Sequence, residues 1–156
     1  MTRIQKSVEV GVPISIAYGQ WTQFEEFPTF MEGIESVVQR DDQFLDWTAS
    51  VGGRTRTRTA KIVDQTPNVR IAWKAVGGAE NAGAVLFNEL GPDRTRVDLT
   101  IEAEPEGPVE TAGTALGFLD RRISGDLERF KSFIEERGQS TGAWTGEIHG
   151  SSVTRP

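Results

Sequence analysis

The stretch Arg54-Thr55-Arg56-Thr57-Arg58-Thr59-Ala60-Lys61-Ile62 sets three guanidinium groups at every second position. Period two places Arg54, Arg56, Arg58, Ala60 and Ile62 on one face of a strand, and Thr55, Thr57, Thr59, Lys61 and Val63 on the other. Ala60 and Ile62 suit a core, so the same phase points the arginines inward. Burying one unpaired guanidinium costs several kcal/mol, so three together need acids, water or a polar ligand. The compromise is Arg54 at a cavity mouth with one or two of the others reaching inside. The competing reading is a β-bulge that shifts the phase and leaves all three on a solvated outer face. In either case an arginine stays protonated and cannot serve as a general base.

A proton acceptor to work beside them is hard to find. Tyr18 is the only tyrosine and reads first as core packing with its hydroxyl at a rim. His149, the only histidine, reads as a solvated residue near the C-terminus. The chain has no cysteine, which excludes disulfides, thiolate metal sites and a cysteine nucleophile. With no histidine in the body and no spaced acid cluster, neither a metal site nor a cofactor is expected. Glu80-Asn81, between Gly78 and Gly83, reads as a hairpin turn or as a loop at a cavity mouth. Asp126-Leu127-Glu128-Arg129 reads as a charged, solvated helix face with i,i+4 pairs.

Apolar side chains are better placed. Trp47 is in phase with Leu45, Ala49 and Val51, and Trp73 with Ile71 and Ala75, so both indoles should face inward. Singly each is ordinary core. As a group with Phe27, Phe30, Met31, Phe87, Leu116 and Leu119 they would line an apolar pocket. Burial stabilises each by roughly 1.5–3 kcal/mol, against protein or ligand alike.

The elements that must position these groups follow from periodicity. Residues 3–10 alternate as a strand, with Lys6 interrupting the apolar face as at an edge or mouth. Pro13 opens a short helix, Ile14 to Trp21, and residues 24–31 form a further helical turn or two limited by Pro28. Strand-like segments 34–41, 44–51, 54–65, 69–76, 83–90 and 95–103 are divided by turn signals, which predicts an antiparallel meander. Leu116, Leu119, Ile123, Leu127, Phe130 and Ile134 then form the apolar stripe of one long helix that starts after Pro105 and Pro108 and is capped at Gly138. Residues 1–138 read as one domain. Residues 139–156, rich in Gly, Ser and Thr, read as a disordered tail.

The predicted architecture is α+β. A curved antiparallel sheet of about seven strands wraps the long C-terminal helix, and the two short helices plug one end around an apolar cavity. The 156-residue chain is large enough to bury a core, and its net charge of −6 argues against phosphate-backbone binding to nucleic acid. No run approaches the roughly 20 apolar residues of a membrane span, and nothing resembles a signal peptide, so a cytoplasmic location is expected.

This order of elements resembles the helix-grip fold of the START-like, or SRPBCC, superfamily, which includes birch-pollen-allergen-like proteins, coenzyme Q-binding proteins and polyketide aromatase/cyclases. Val8-Glu9-Val10-Gly11-Val12-Pro13 with Ala17-Tyr18 and Trp21 looks like its opening strand and helix. Phe24-Glu25-Glu26-Phe27-Pro28-Thr29-Phe30-Met31 resembles its W/F-x-x-F-P-x-F signature. Gly78-Ala79-Glu80-Asn81-Ala82-Gly83, Gly125-Asp126-Leu127-Glu128-Arg129-Phe130-Lys131 and Thr141-Gly142-Ala143-Trp144 are similar to a bacterial cyclase/dehydrase-like branch. The resemblance covers about residues 3–137. It implies a pocket arginine at Arg56 that holds ketone or enolate oxygens, and it departs at Arg58, where an aromatic is usual. It leaves three readings: a carrier or sensor for a lipid-, isoprenoid- or polyketide-like molecule, a polyketide cyclase/dehydrase, and a stress-related interaction protein with a closed cavity.

Overall fold

Val10, Val12, Ala17, Tyr18 and Trp21 are each at most 2 % exposed, so the first strand and helix are anchored in the core from the outset. The computed structural model describes residues 2–51, 53–77, 81–103 and 109–156. Strand β1 (Thr2–Val10) leads into helix α1 (Ile14–Trp21) and a 3-10 helix (Phe24–Thr29). The Pro13 carbonyl accepts the N–H groups of Ile16 and Ala17, so proline sits just ahead of the first turn, where its missing donor is harmless. A meander follows: β2 (Ile34–Gln39), β3 (Phe44–Val51), β4 (Arg54–Thr66), β5 (Arg70–Ala75), β6 (Asn81–Gly91) and β7 (Arg94–Ala103). These strands pair antiparallel in the order β1-β7-β6-β5-β4-β3-β2.

Helix α2 (Val109–Arg137) crosses the concave face of the sheet. Ile123, Leu127, Phe130 and Ile134 are buried along its predicted stripe. Gly138 ends it with φ +68° and donates its N–H to Ile134 at 2.9 Å, the left-handed cap that glycine adopts without a side-chain penalty. Polar clamps hold the helix to both sides of the sheet. Lys6 Nζ meets Asp120 at 3.0 Å, which explains the charged residue on the inner face of β1. Arg122 donates to the Ser50 carbonyl at 2.7 Å, Lys131 to the Glu9 carbonyl at 2.9 Å, and Glu135 accepts the Gly11 N–H at 2.7 Å.

Two expectations need correction. The charged run on α2 is not simply a solvated face. Asp126 is partly buried, accepts the Glu32 N–H at 2.9 Å and pairs with Arg129 at i,i+3, while Arg129 also donates to the Phe30 carbonyl. Burial raises the Asp126 pKa, against the pull of its Arg129 and Glu32 hydrogen bonds.

Nor are residues 139–156 a disordered tail. They double back over α1 and form a hairpin, β8 (Glu147–His149) and β9 (Ser152–Thr154), with β8 paired to β4 through Asp64↔His149 and Gln65↔Ile148. Ile148 is fully buried and Trp144 packs on the core. The reason is long range: β3 begins only at Phe44, opposite Lys61, so the far end of the 13-residue β4 has a vacant side. The hairpin occupies it.

Candidate ligand site on the concave face

Register fixes which way the arginines point. From Val51↔Arg54 to Phe44↔Lys61 the β3–β4 ladder runs without interruption. Trp47 lies opposite Arg58, Ala49 opposite Arg56 and Leu45 opposite Ala60. Because Leu45, Ala60 and Ile62 are buried, alternation puts Trp47, Arg58 and Arg56 on the same, concave face. The bulge anticipated as an alternative does exist, but it falls between Ile62 and Asp64, beyond the arginines. Its effect is local: Asp64 turns outward to Arg70 and His149, and Gln65 turns inward at 1 % exposure.

Exposure falls along this face. Arg56 is exposed, Arg58 and Trp47 are half-buried, and Ala60 and Ile62 are closed off. One register row crosses the sheet from Ile4 through Ile101, Gly83 and Trp73 to Ile62. Trp73 and Ile101 are half-buried there. The Trp73 indole lies against Gly83, where any Cβ would collide with it. Glycine is therefore required for close approach rather than for its torsional freedom. The next row inward, with Leu99, Val85 and Ile71, is closed.

The other predicted pocket residues separate into two groups. Met31 is half-buried against the core beside the 3-10 helix. Phe27 and Phe30 do not stand on an open wall. They join Trp21, Phe24, Phe130 and Phe133 in a ring cluster with centroid separations of 5.3–6.4 Å. Such edge-to-face and tilted contacts are the preferred aromatic geometry and they plug the closed end. Phe87 is likewise core, edge-to-face with Tyr18 at 5.2 Å. The side chains of Arg54, Leu116 and Leu119, and Glu80 as a whole, lie outside the described residues.

Tyr18 is placed deeper than expected. Its ring is 2 % exposed and its hydroxyl is buried beside the Gln65 side chain, and the Gln65 amide nitrogen and the Trp21 indole nitrogen are buried as well. Burial pushes the Tyr18 hydroxyl up to about 12, the neighbouring Gln65 side chain offsets part of this, and the Asp64 and Glu147 carboxylates add to it. A phenol so placed is no general base near neutral pH. On the sheet's concave face the described ionisable side chains are Arg56, Arg58, Lys6 and, exposed at the far end of β6 opposite Thr95, Glu89; Lys6 is held by Asp120. The described residues contain no group of three or more metal-ligating side chains. What this wall offers chemically is cationic hydrogen-bond donors next to indole and aliphatic surface. Gln65 escaped the sequence reading because the bulge reverses the phase after Ile62.

Residues 10–131 match the profile described as "Polyketide cyclase / dehydrase and lipid transport". The chain belongs to that family. A 17.2 kDa protein of Streptomyces lincolnensis is 50 % identical to this family member over 149 residues, covering 95 % of this chain and 99 % of the relative. Among solved structures, a protein from Deinococcus radiodurans superposes with a TM-score of 0.68 at 26 % identity, over 87 % of this chain and 99 % of its own. The Zhui aromatase/cyclase from Streptomyces sp. R1128 gives 0.74 at 16 % identity, over 91 % and 98 %. A START superfamily protein from Mycobacterium smegmatis gives 0.67 at 18 %, over 85 % and 98 %. The family is thus START-like in fold, an antiparallel sheet of seven strands with a long C-terminal helix. Among the described residues no helix is long and apolar enough to cross a membrane.

Proposed function

We propose that this protein binds a small hydrophobic molecule, lipid-, isoprenoid- or polyketide-like, between the concave face and α2, as a carrier or sensor acting in the cytoplasm. The observation that carries this reading is the Trp47–Arg58 pair. It is half-buried at the open end of a face whose deeper rows, around Ile62, Ile71, Val85 and Leu99, are closed and apolar, with Arg56 beyond it and Trp73 on the neighbouring strand. An apolar wall with a few placed polar groups is the usual make-up of a small-molecule site. The apolar body of a ligand would lie on Trp47, Trp73 and Ile101, and an oxygen-bearing head would meet the guanidinium groups.

A second reading, aldol cyclisation and dehydration of a poly-ketone chain, draws on the same arginines as oxyanion donors and on the family's description. It requires a proton acceptor beside them. A third reading, a stress-related interaction protein, would have the indoles fill the space themselves. Native mass spectrometry of the purified chain, followed by organic extraction of the bound molecule, tests the first. A co-purifying lipid, quinone or polyketide supports it, and turnover of that compound would favour the cyclase. A chain that is empty and ignores lipid and polyketide panels would favour the third reading.

A further inference from the structure

Strand β4 outruns both of its neighbours, at opposite ends. At its C-terminal end the side that β3 leaves vacant is taken by β8. At its N-terminal end it is β5 that stops short. Pairing ends at Ala60↔Ala75, with one further bond from the Val76 N–H to the Thr59 carbonyl at 3.0 Å. Beyond that bond, no strand among the described residues pairs with residues 54–58 on this side. Thr55, Arg56 and Thr57 are exposed there.

Alternation fixes what this edge offers. In a strand the N–H and C=O of one residue point to the same side, and the side reverses at the next residue. The Thr59 carbonyl points toward β5, so Thr57 and Thr55 present their backbone donors and acceptors in the same direction, while those of Arg56 and Arg58 turn toward β3. The Thr57 side chain stands on the convex face, bonded to the Thr48 hydroxyl at 3.0 Å, and Arg56 and Arg58 stand on the concave face. A backbone edge of this kind is a template for strand addition.

Charge selects the strand that would be added. A second copy of this chain is a poor fit, because antiparallel pairing in the two registers centred here sets Arg56 opposite Arg56 or opposite Arg58, and like charges directly opposite are destabilising. A strand with carboxylates at alternate positions is the complement. Those carboxylates would fall in the non-hydrogen-bonded pairs, where facing side chains come closest.

We propose that residues 54–58 accept an extended acidic segment of a partner protein as an added antiparallel strand. Its carboxylates lie opposite Arg56 and Arg58, and its main chain bonds to Thr55 and Thr57. This interface shares Arg56 with the site under Proposed function but needs no ligand in that site, and main-chain pairing tells the two apart.

The test is titration of the full chain with acetylated, amidated Val-Glu-Val-Glu-Val, followed by amide NMR shifts. The expected result is saturable binding, with the largest shifts at residues 54–58, weakened as salt is raised. Exchanging both glutamates for lysine should weaken it about tenfold or more, and Arg56→Glu should reverse that preference. N-methylation of the central valine, whose N–H meets the edge, should abolish binding, whereas N-methylation of a glutamate, whose N–H points away, should change it by less than about twofold. Absence of saturation overturns the proposal. So does equal loss from the two N-methylated peptides, which would make the attraction one of charge alone, or equally tight binding of the lysine peptide. These comparisons use the unmodified chain and decide even if Arg56→Glu fails to fold.

Discussion

Gln20 and Thr141, far apart in sequence, exchange two hydrogen bonds: Gln20 Nε2 donates to Thr141 Oγ1 at 3.0 Å, and the Thr141 N–H donates to Gln20 Oε1 at 2.8 Å. Gln20 is fully buried on α1, so its amide is satisfied by the C-terminal segment rather than by water. Thr22 Oγ1 repeats the arrangement by accepting the Trp144 N–H at 3.0 Å.

Removal of residues 139–156 should therefore destabilise the domain. Loss of the fully buried Ile148 and the half-buried Trp144, together with the stranded Gln20 amide, is expected to lower Tm by roughly 5–10 °C in calorimetry. An unchanged Tm would mean that the segment does not pack in solution.

The single tyrosine makes a clean alkaline probe. Burial holds the Tyr18 hydroxyl at about 12, above the ordinary tyrosine value of 10.0. A raised folded-state pKa contributes stability that is fully present below pH ~10 and lost as pH rises toward ~12. Ultraviolet difference titration should show ionisation near the higher value, or cooperative unfolding before it. The truncated chain should titrate closer to 10. A midpoint near 10 in the full chain would show that solvent reaches the ring.

Gly83→Ala forces a methyl group into the Trp73 indole. Overpacking of this kind costs about 1–3 kcal/mol, measurable by denaturant unfolding. Trp73→Leu in the same chain should recover much of the loss. If Gly83→Ala is neutral alone, Trp73 has another place to go.

Arg56 is exposed on the concave face, so Arg56→Ala should move Tm by no more than about 2 °C. Its affinity for an anionic or ketone-bearing ligand should fall about tenfold in a fluorescence titration. Lost stability with unchanged affinity would give Arg56 a structural role only.

The meander, α1 and the apolar stripe of α2 were legible because each follows one period for many residues. The inward phase of Trp47 and Ala60 was legible for the same reason, whereas that of Arg58 stayed open because a bulge placed earlier in β4 would have reversed it. What failed to show depended on contacts distant in sequence. Gly, Ser and Thr in residues 139–156 read as disorder, and only the vacant side of β4 gives Ile148 somewhere to go. Phe27 and Phe30 carry the same aromatic character as Trp47, and their place in a closed cluster is decided by Trp21 and Phe130. Lys6 announced itself as an anomaly, but nothing local named Asp120 as its partner.

The hairpin that covers the end of β4 also acts as an edge guard. Without it the backbone donors and acceptors of Asp64 and Gln65 would face outward as a template for strand addition by another molecule. The edge it offers instead, Ser152–Thr154, is three residues long and is followed by Arg155 and Pro156, a poor template on both counts. Proteolytic trimming of this segment should therefore do more than loosen the fold. It should promote self-association by sheet extension, visible as rising light scatter relative to the full chain.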